Sequence, residues 1–300
     1  MESLNSLKPM LLSEVLEPFD DKDYIYELKF DGFRTIIHVN TKEIHILSRN
    51  GHDVTKLYPE LKSICNLVKK ETIFDGEIIS FKDGIPSFSN LQRRNVLKDI
   101  SKIEALSKKA PIAFVAFDIL YEGKSLTELP LLKRKKILDK YDETDFFVKT
   151  KFVIKDGKKL FKRVVDLGLE GIVAKKKDSL YYPGMRTKDW IKIKNFKDGI
   201  FLIGGYTVNK LTASLLLGQR RDKNLYYVGK VSIGLDSELY KKVAKLKKRT
   251  SSPFKDHKDE GEIYVLPKLN CEVEFTEWTD SKHLRHPIFK REVRKDESND

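Results

Sequence analysis

Chemistry first becomes conceivable along this chain at YELKFDGFR, residues 26–34. Tyr24, Tyr26 and Leu28 alternate with Ile25, Glu27 and Lys29, so Glu27 and Lys29 share one face of a predicted strand. Asp31 and Gly32 then signal a turn, and Arg34 follows it. An amine attacks only when neutral, and an ordinary lysine, with a pKa of about 10, is charged at pH 7. Neighbouring cations or burial favour the neutral form. Gly32 would let another group approach the backbone closely, and Arg34 supplies a second cation. A surface lysine paired with Glu27 would read the same way, so this stretch alone decides nothing.

Four further stretches set charges into apolar strands. SRNG (48–51) ends a strand with Arg49, and FDGEI (74–78) places Asp75 and Glu77 on one face. EGIVAK (170–175) has Glu170 at the mouth of a buried strand and Lys175 at its far end. In DWIKIK (189–194), Lys192 and Lys194 share a face while Ile191 and Ile193 point to a core. Each stretch alone could be a half-exposed strand with solvated charges. Together they supply a lysine, further cations and carboxylates, which is what phosphoryl transfer with a divalent metal needs.

The elements that must position these residues form an α+β pattern. Strands are predicted over 24–30, 34–39, 43–48, 72–81, 112–120, 171–175 and 190–194, and helices over 58–70, 89–108, 131–140 and 158–167. Their order is too irregular for a doubly wound parallel sheet, so mostly antiparallel sheets with flanking helices are expected. After KNFKDG the character changes. Five short strands punctuated by Gly, Asn and Asp, with one helix within 236–249, suggest a C-terminal OB-fold β-barrel. The boundary is expected near Asp198, giving domains 1–197 and 198–300.

Composition narrows the partner. Fifty-eight basic against 45 acidic residues leave a net charge of +13, which points to a polyanion and to nucleic acid ahead of a membrane surface. Cys65 and Cys271 stand in no metal-ligand spacing, and a reducing compartment is expected. No signal peptide or membrane span is read, so a soluble, cytoplasmic, monomeric protein is expected.

In this setting KFDGFR resembles the KxDGxR motif of covalent nucleotidyltransferases. SRNG, FDGE, FVAFDIL, EGIVAK and WIKIK follow in the order found in ATP-dependent DNA ligases. GLEGIVAKKKDSLYYPGMRTKDWIKIK and EFTEWTDSKHLRHPIFK resemble the ligase module of bacterial end-joining ligases. The resemblance implies a nucleotidyltransferase (adenylation) domain before the OB domain, with ATP and a divalent metal (Mg2+ or Mn2+) as cofactors. Lys29 would be the catalytic nucleophile. Glu27 would recognise the adenine side, Arg34 and Glu77 the ribose region, and Arg49 would line the nucleotide site. Phe117 would stack on adenine, Glu170 would bind the metal, and Arg186, Lys192 and Lys194 would contact phosphates.

The partner implied is nicked or broken duplex DNA in repair or end joining, at a bacterial nucleoid. Recruitment by a Ku-like end-binding protein stays open. The segment 88–109, with Arg93, Arg94 and four lysines, would lie along phosphates. With Lys29 so near the start, clamping of DNA is expected from these two domains. The family's Arg-x-Asp-Lys motif for domain closure is met by Arg294 and Asp296, but Glu297 stands where its lysine is expected. Lys295 is expected to compensate in part. The rival readings are an RNA ligase, a capping-type guanylyltransferase, or a non-catalytic OB-containing DNA-binding protein.

Overall fold

The computed structural model describes residues 7–82, 85–86, 88–257 and 261–293. The chain divides into two compact units, Met1–Asn195 and Phe196–Asp300.

The first unit holds two sheets. One has the order β1-β11-β10-β2-β9, built from β1 (Leu11–Glu14), β2 (Tyr24–Leu28), β9 (Phe152–Ile154), β10 (Gly171–Lys176) and β11 (Arg186–Lys194). The other has the order β4-β3-β5-β7-β8, from β3 (Phe33–Val39), β4 (Ile44–Ser48), β5 (Thr72–Lys82), β7 (Ile112–Glu122) and β8 (Phe147–Lys149). A short β6 (Ile85–Pro86) pairs off β5. Pairing is antiparallel except for β1 with β11 and β7 with β8, so the expected α+β class with mostly antiparallel sheets holds.

Burial follows from side-chain alternation. Ile36 and Ile73 of one sheet meet Ile25 and Trp190 of the other in a shared cluster with Met10, Phe117 and Tyr181. On its outer face the first sheet buries Tyr26, Ile172, Ala174, Ile191 and Ile193 with Val164 of α4 (Gly157–Asp166). The second sheet's outer face packs on the 3-10 segment Pro59–Leu67 through Leu61, Ile64 and Cys65, and on Leu138 of α3 (Leu131–Leu138). The helix expected over 89–108 is two, α1 (Phe88–Asn95) and α2 (Ile100–Lys109). Asp99 accepts from the Ser101 and Lys102 amides and so starts the second one.

In the second unit β12 (Lys197–Val208), β13 (Thr212–Arg221), β14 (Asn224–Gly234), β16 (Asn270–Phe275) and β19 (Ile288–Val293) run in the order β14-β13-β12-β16-β19. β15 (Ile263–Tyr264) pairs β12, and β17 (Glu277–Trp278) forms a hairpin with β18 (Leu284–Arg285). α5 (Glu238–Ala244) lays Leu239 and Val243 on the core, where Cys271 is fully buried. The strand order runs from β14 to β19, and among the described residues no ladder joins these two end strands. Both cysteines are free and buried, one in each unit. No described helix is long and apolar enough to cross a membrane.

Candidate active site

Three rows cross the inner face of the first sheet. Register aligns Glu27, Val173, Lys192 and Glu14 in one row, with Ile25, Lys175 and Trp190 in the next. Beyond the end of β2, the Lys29 amide donates to Gly171 O at 2.9 Å, and Gly171 pairs with Lys194. The period of two therefore puts Glu27, Lys29, Lys175, Lys192 and Lys194 on one side and Ile172, Ile191 and Ile193 on the other. Gly171 has to be glycine: its φ is +153°, and a Cβ there would stand 2.2 Å from Ile193 O.

Lys29 Nζ lies 2.6 Å from Glu170 Oε1, with about a fifth of each side chain exposed. The turn after Lys29 needs Gly32 for a reason other than access by a foreign group. A Cβ there would stand 2.3 Å from Ile78 O, so the turn is pressed onto β5 of the same chain.

Behind Lys29 a cleft of about 390 Å³, its open mouth included, is lined by Glu27, Arg34, Glu77, Phe117, Lys175 and Trp190 among others. Phe117 owes its place to a bulge. Gly76 pairs with Ala116 and Asp75 with Asp118, leaving Phe117 as the extra residue of β7. Lys175 Nζ sits 4.2 Å from the Phe117 ring centroid and 4.1 Å from that of Trp190. Buried Glu27 is held between Lys175, at 2.7 Å, and Lys135 of α3. Burial pulls the Lys175 ammonium down to about 8, the Glu27 charge resisting and Lys135 adding to the fall.

Arg34 and Glu77 are register partners on β3 and β5. Arg34 forms a fork with Asp75, at 2.7 and 2.8 Å, and lies 4.4 Å from the Phe117 centroid. Asp75 also accepts from Tyr181 Oη at 2.6 Å, and Tyr181 Oη accepts from the Met10 amide. Burial raises the Glu77 carboxyl to about 8 against the opposing pull of Lys29 and Arg34, with Glu170 and Asp75 pushing it further up. The shift favours the protonated carboxyl, the form that can donate a hydrogen bond.

Lys192 and Lys194 each meet Glu14, at 3.0 and 3.1 Å. Exposed Arg186 donates to Leu12 O, and Arg49 is exposed at the end of β4. The structure thus gathers Glu27, Lys29, Arg34, Glu77 and Phe117 around one cleft, with Glu170 on Lys29. Among the described residues no group of three or more His, Cys, Asp or Glu side chains could cage a metal.

One expectation is corrected. Arg94 does not lie on an outer face: its side chain is 1% exposed, paired with Glu60, bonded to Ala110 O at 2.9 Å and set over Tyr58. Period 3.6 turns it inward while its neighbour Arg93 stays exposed. Arg294 and Asp296, with Lys295 and Glu297, lie outside the described residues. Residues the motifs did not single out are Lys135 and Glu14. Each meets its partner across a long stretch of chain, so no local spacing could have disclosed it. Lys135, inside the run KRKK, has the sequence of a solvated helical face.

The model of the ATP dependent DNA ligase domain matches residues 6–194, and that of the ATP dependent DNA ligase C terminal region matches residues 209–297. The multifunctional non-homologous end joining protein LigD of Mycolicibacterium smegmatis is 31% identical over 97% of this chain, which spans 39% of that protein. The SPbeta prophage-derived DNA ligase-like protein LigB of Bacillus subtilis is 32% identical over 94% of this chain and 97% of its own length. The crystal structure of the ligase domain from M. tuberculosis LigD superposes with a TM-score of 0.59 at 29% identity, covering 98% of this chain and 97% of that one. The fold is accordingly a nucleotidyltransferase unit followed by an OB-fold unit. Matched in both units, and at 32% identity to a relative covered almost end to end, the chain belongs to the ATP-dependent DNA ligase family.

Proposed function

We propose that this chain seals 5′-phosphate/3′-OH nicks in duplex DNA with Lys29 as its nucleophile. The observation that carries the reading is the Lys29 amine at the mouth of the cleft, beside Glu170, with Phe117 and Glu27 behind it. Lys29 Nζ attacks the α-phosphorus of ATP, the bond to pyrophosphate breaks, and AMP stays on the amine as a phosphoramidate. A 5′-phosphate oxygen at the nick then displaces the lysine, and the 3′-OH finally displaces AMP and closes the strand. Each step is an in-line displacement at phosphorus, so the chain's task is positioning and charge stabilisation.

Phe117 would stack on adenine, and Glu27, pinned by two lysines, would meet the base edge with a fixed carboxylate. Arg34 and Glu77 would contact the ribose, Arg49 would line the nucleotide site, and Lys192, Lys194 and Arg186 would take the phosphates. Glu170 would hold Mg2+ or Mn2+, which would neutralise charge on the reacting phosphates; a single carboxylate suits a metal bound mainly through substrate oxygens. Residues 1–197 would carry adenylation and 198–300 the OB domain, with Arg294 and Asp296 serving closure over ATP.

On the DNA side, the exposed Arg93, Lys98, Lys102, Lys108 and Lys109 supply phosphate contacts. A role in end joining at the bacterial nucleoid, with recruitment by a Ku-like protein, extends what the named relatives do. The test is incubation with ATP and Mg2+ followed by intact-mass measurement, then sealing of an all-DNA nick beside an RNA-containing one. A gain of one adenylate and a sealed DNA nick are expected. No adduct with ATP, or one formed only from GTP, rejects the proposal.

A further inference from the structure

Glu14 ends β1 opposite Lys192 in the parallel ladder, and the Val15 amide donates to Lys192 O at 3.2 Å. A break in register between Leu12 and Ser13 sets this alignment, because Leu12 pairs with Thr187 and the next residue already pairs with Ile191. The carboxylate divides its oxygens. Oε2 is 3.0 Å from Lys192 Nζ and Oε1 is 3.1 Å from Lys194 Nζ. An anion that gives one oxygen to each of two neighbouring ammonium groups has the arrangement of a phosphate held by the same pair. Burial would raise the Glu14 carboxyl, but the hydrogen bonds and charges of Lys192 and Lys194 outweigh it and hold it below the usual range. It stays anionic at neutral pH.

We propose that Glu14 is a built-in competitor for phosphate, bridging Lys192 and Lys194 in the nucleotide-free chain and yielding them when a triphosphate enters. The proposal rests on the reading that these two lysines contact ATP phosphates. Exchange is easy in one direction and useful in the other. The Glu14 side chain is 37% exposed, so its two ion pairs are screened by water and weak. A triphosphate brings several charges to the same cations and displaces it. In its absence the bridge keeps two like charges together without repulsion and gives single-phosphate anions a rival. Glu14 would thereby set the concentration of ATP at which Lys29 is adenylated.

The experiment is single-turnover adenylation of Lys29 at varied ATP, in the full chain and in Glu14→Gln, with inorganic tripolyphosphate as a competing probe. Gln keeps the shape and loses the charge. Half-saturating ATP and the inhibition constant of tripolyphosphate should both fall, on the order of two- to fivefold, as expected for release from weak exposed pairs. The difference should vanish at saturating ATP. Glu14→Ala, predicted to shift both values the same way, serves if the Gln variant unfolds. Unchanged or higher half-saturating ATP in a folded variant overturns the proposal. The double variant Lys192→Ala/Lys194→Ala separates the two claims. If it leaves ATP dependence untouched, the phosphate reading of the lysines fails and Glu14 falls with it. If it weakens ATP while Glu14→Gln changes nothing, only the competitor is rejected.

Discussion

Fifty-eight basic side chains give the chain no shortage of cations, yet Lys29 is set at the mouth of a cleft against a carboxylate. Lys29→Ala should abolish the adenylate adduct and nick sealing from ATP. Lys29→Arg should fail too, since a guanidinium stays protonated and attacks poorly. Because Lys29 and Glu170 are partly exposed, the alanine variant should keep its stability to within about 1 kcal/mol, readable in a urea titration. Glu27→Gln should behave differently. It leaves Lys135 and Lys175 buried with no carboxylate between them, and a loss of about 3–5 kcal/mol is expected, as when one partner of a buried pair is removed. Loss of adenylation in that variant, without loss of stability, would contradict the buried-pair account.

The paired arginines of α1 make the same distinction between elements. Arg94→Ala should cost about 3 kcal/mol by orphaning Glu60, with thermal unfolding as the readout. Arg93→Ala should leave stability alone and lower the salt dependence of nicked-DNA binding by about one unit of slope. β3 carries a pH term of its own. Burial, with a smaller push from His45, lowers the His38 imidazole to about 4. A depressed folded value means stabilisation that is whole above the unfolded pKa of about 6.5 and is lost as pH falls from there through 4. The wild type should therefore lose roughly 2–3 kcal/mol more than His38→Gln between pH 7 and pH 4, measured by urea midpoints. Equal losses would exclude His38 as the source.

How much of this the sequence disclosed depends on range. DWIKIK and EGIVAK announced their faces because alternation is local, and the isoleucines lie in the core as expected. The split at Asp99 had a local signal, an N-cap residue, but sat inside one continuous charged pattern. β1 is four residues long and acquires its meaning from β11, more than 170 positions away. So the charged faces of the motif strands were legible, and the partners that hold them, Glu14 and Lys135, were not. The hairpin β17–β18 escaped for a similar reason: its strands are two residues each.

At the scale of the molecule, a charge of +13 and two separate cores decide behaviour. Each unit buries its own apolar cluster, so residues 196–300 expressed alone should fold and unfold cooperatively, visible by calorimetry. A molten, uncooperative fragment would contradict the separate core. The two lone thiols extend this into an assay that needs no engineering. Cys65 lies in the first core and Cys271 in the second, where burial pushes its thiol up to about 12 and that of Cys65 upward as well. Both are therefore slow to alkylate while folded. Each becomes a clock that starts when its own unit opens, and peptide mapping of a timed labelling reaction reads the two clocks in one tube. Rising denaturant should release them at different concentrations if the units open one at a time, and a nucleotide held in the cleft of the first unit should delay Cys65 more than Cys271.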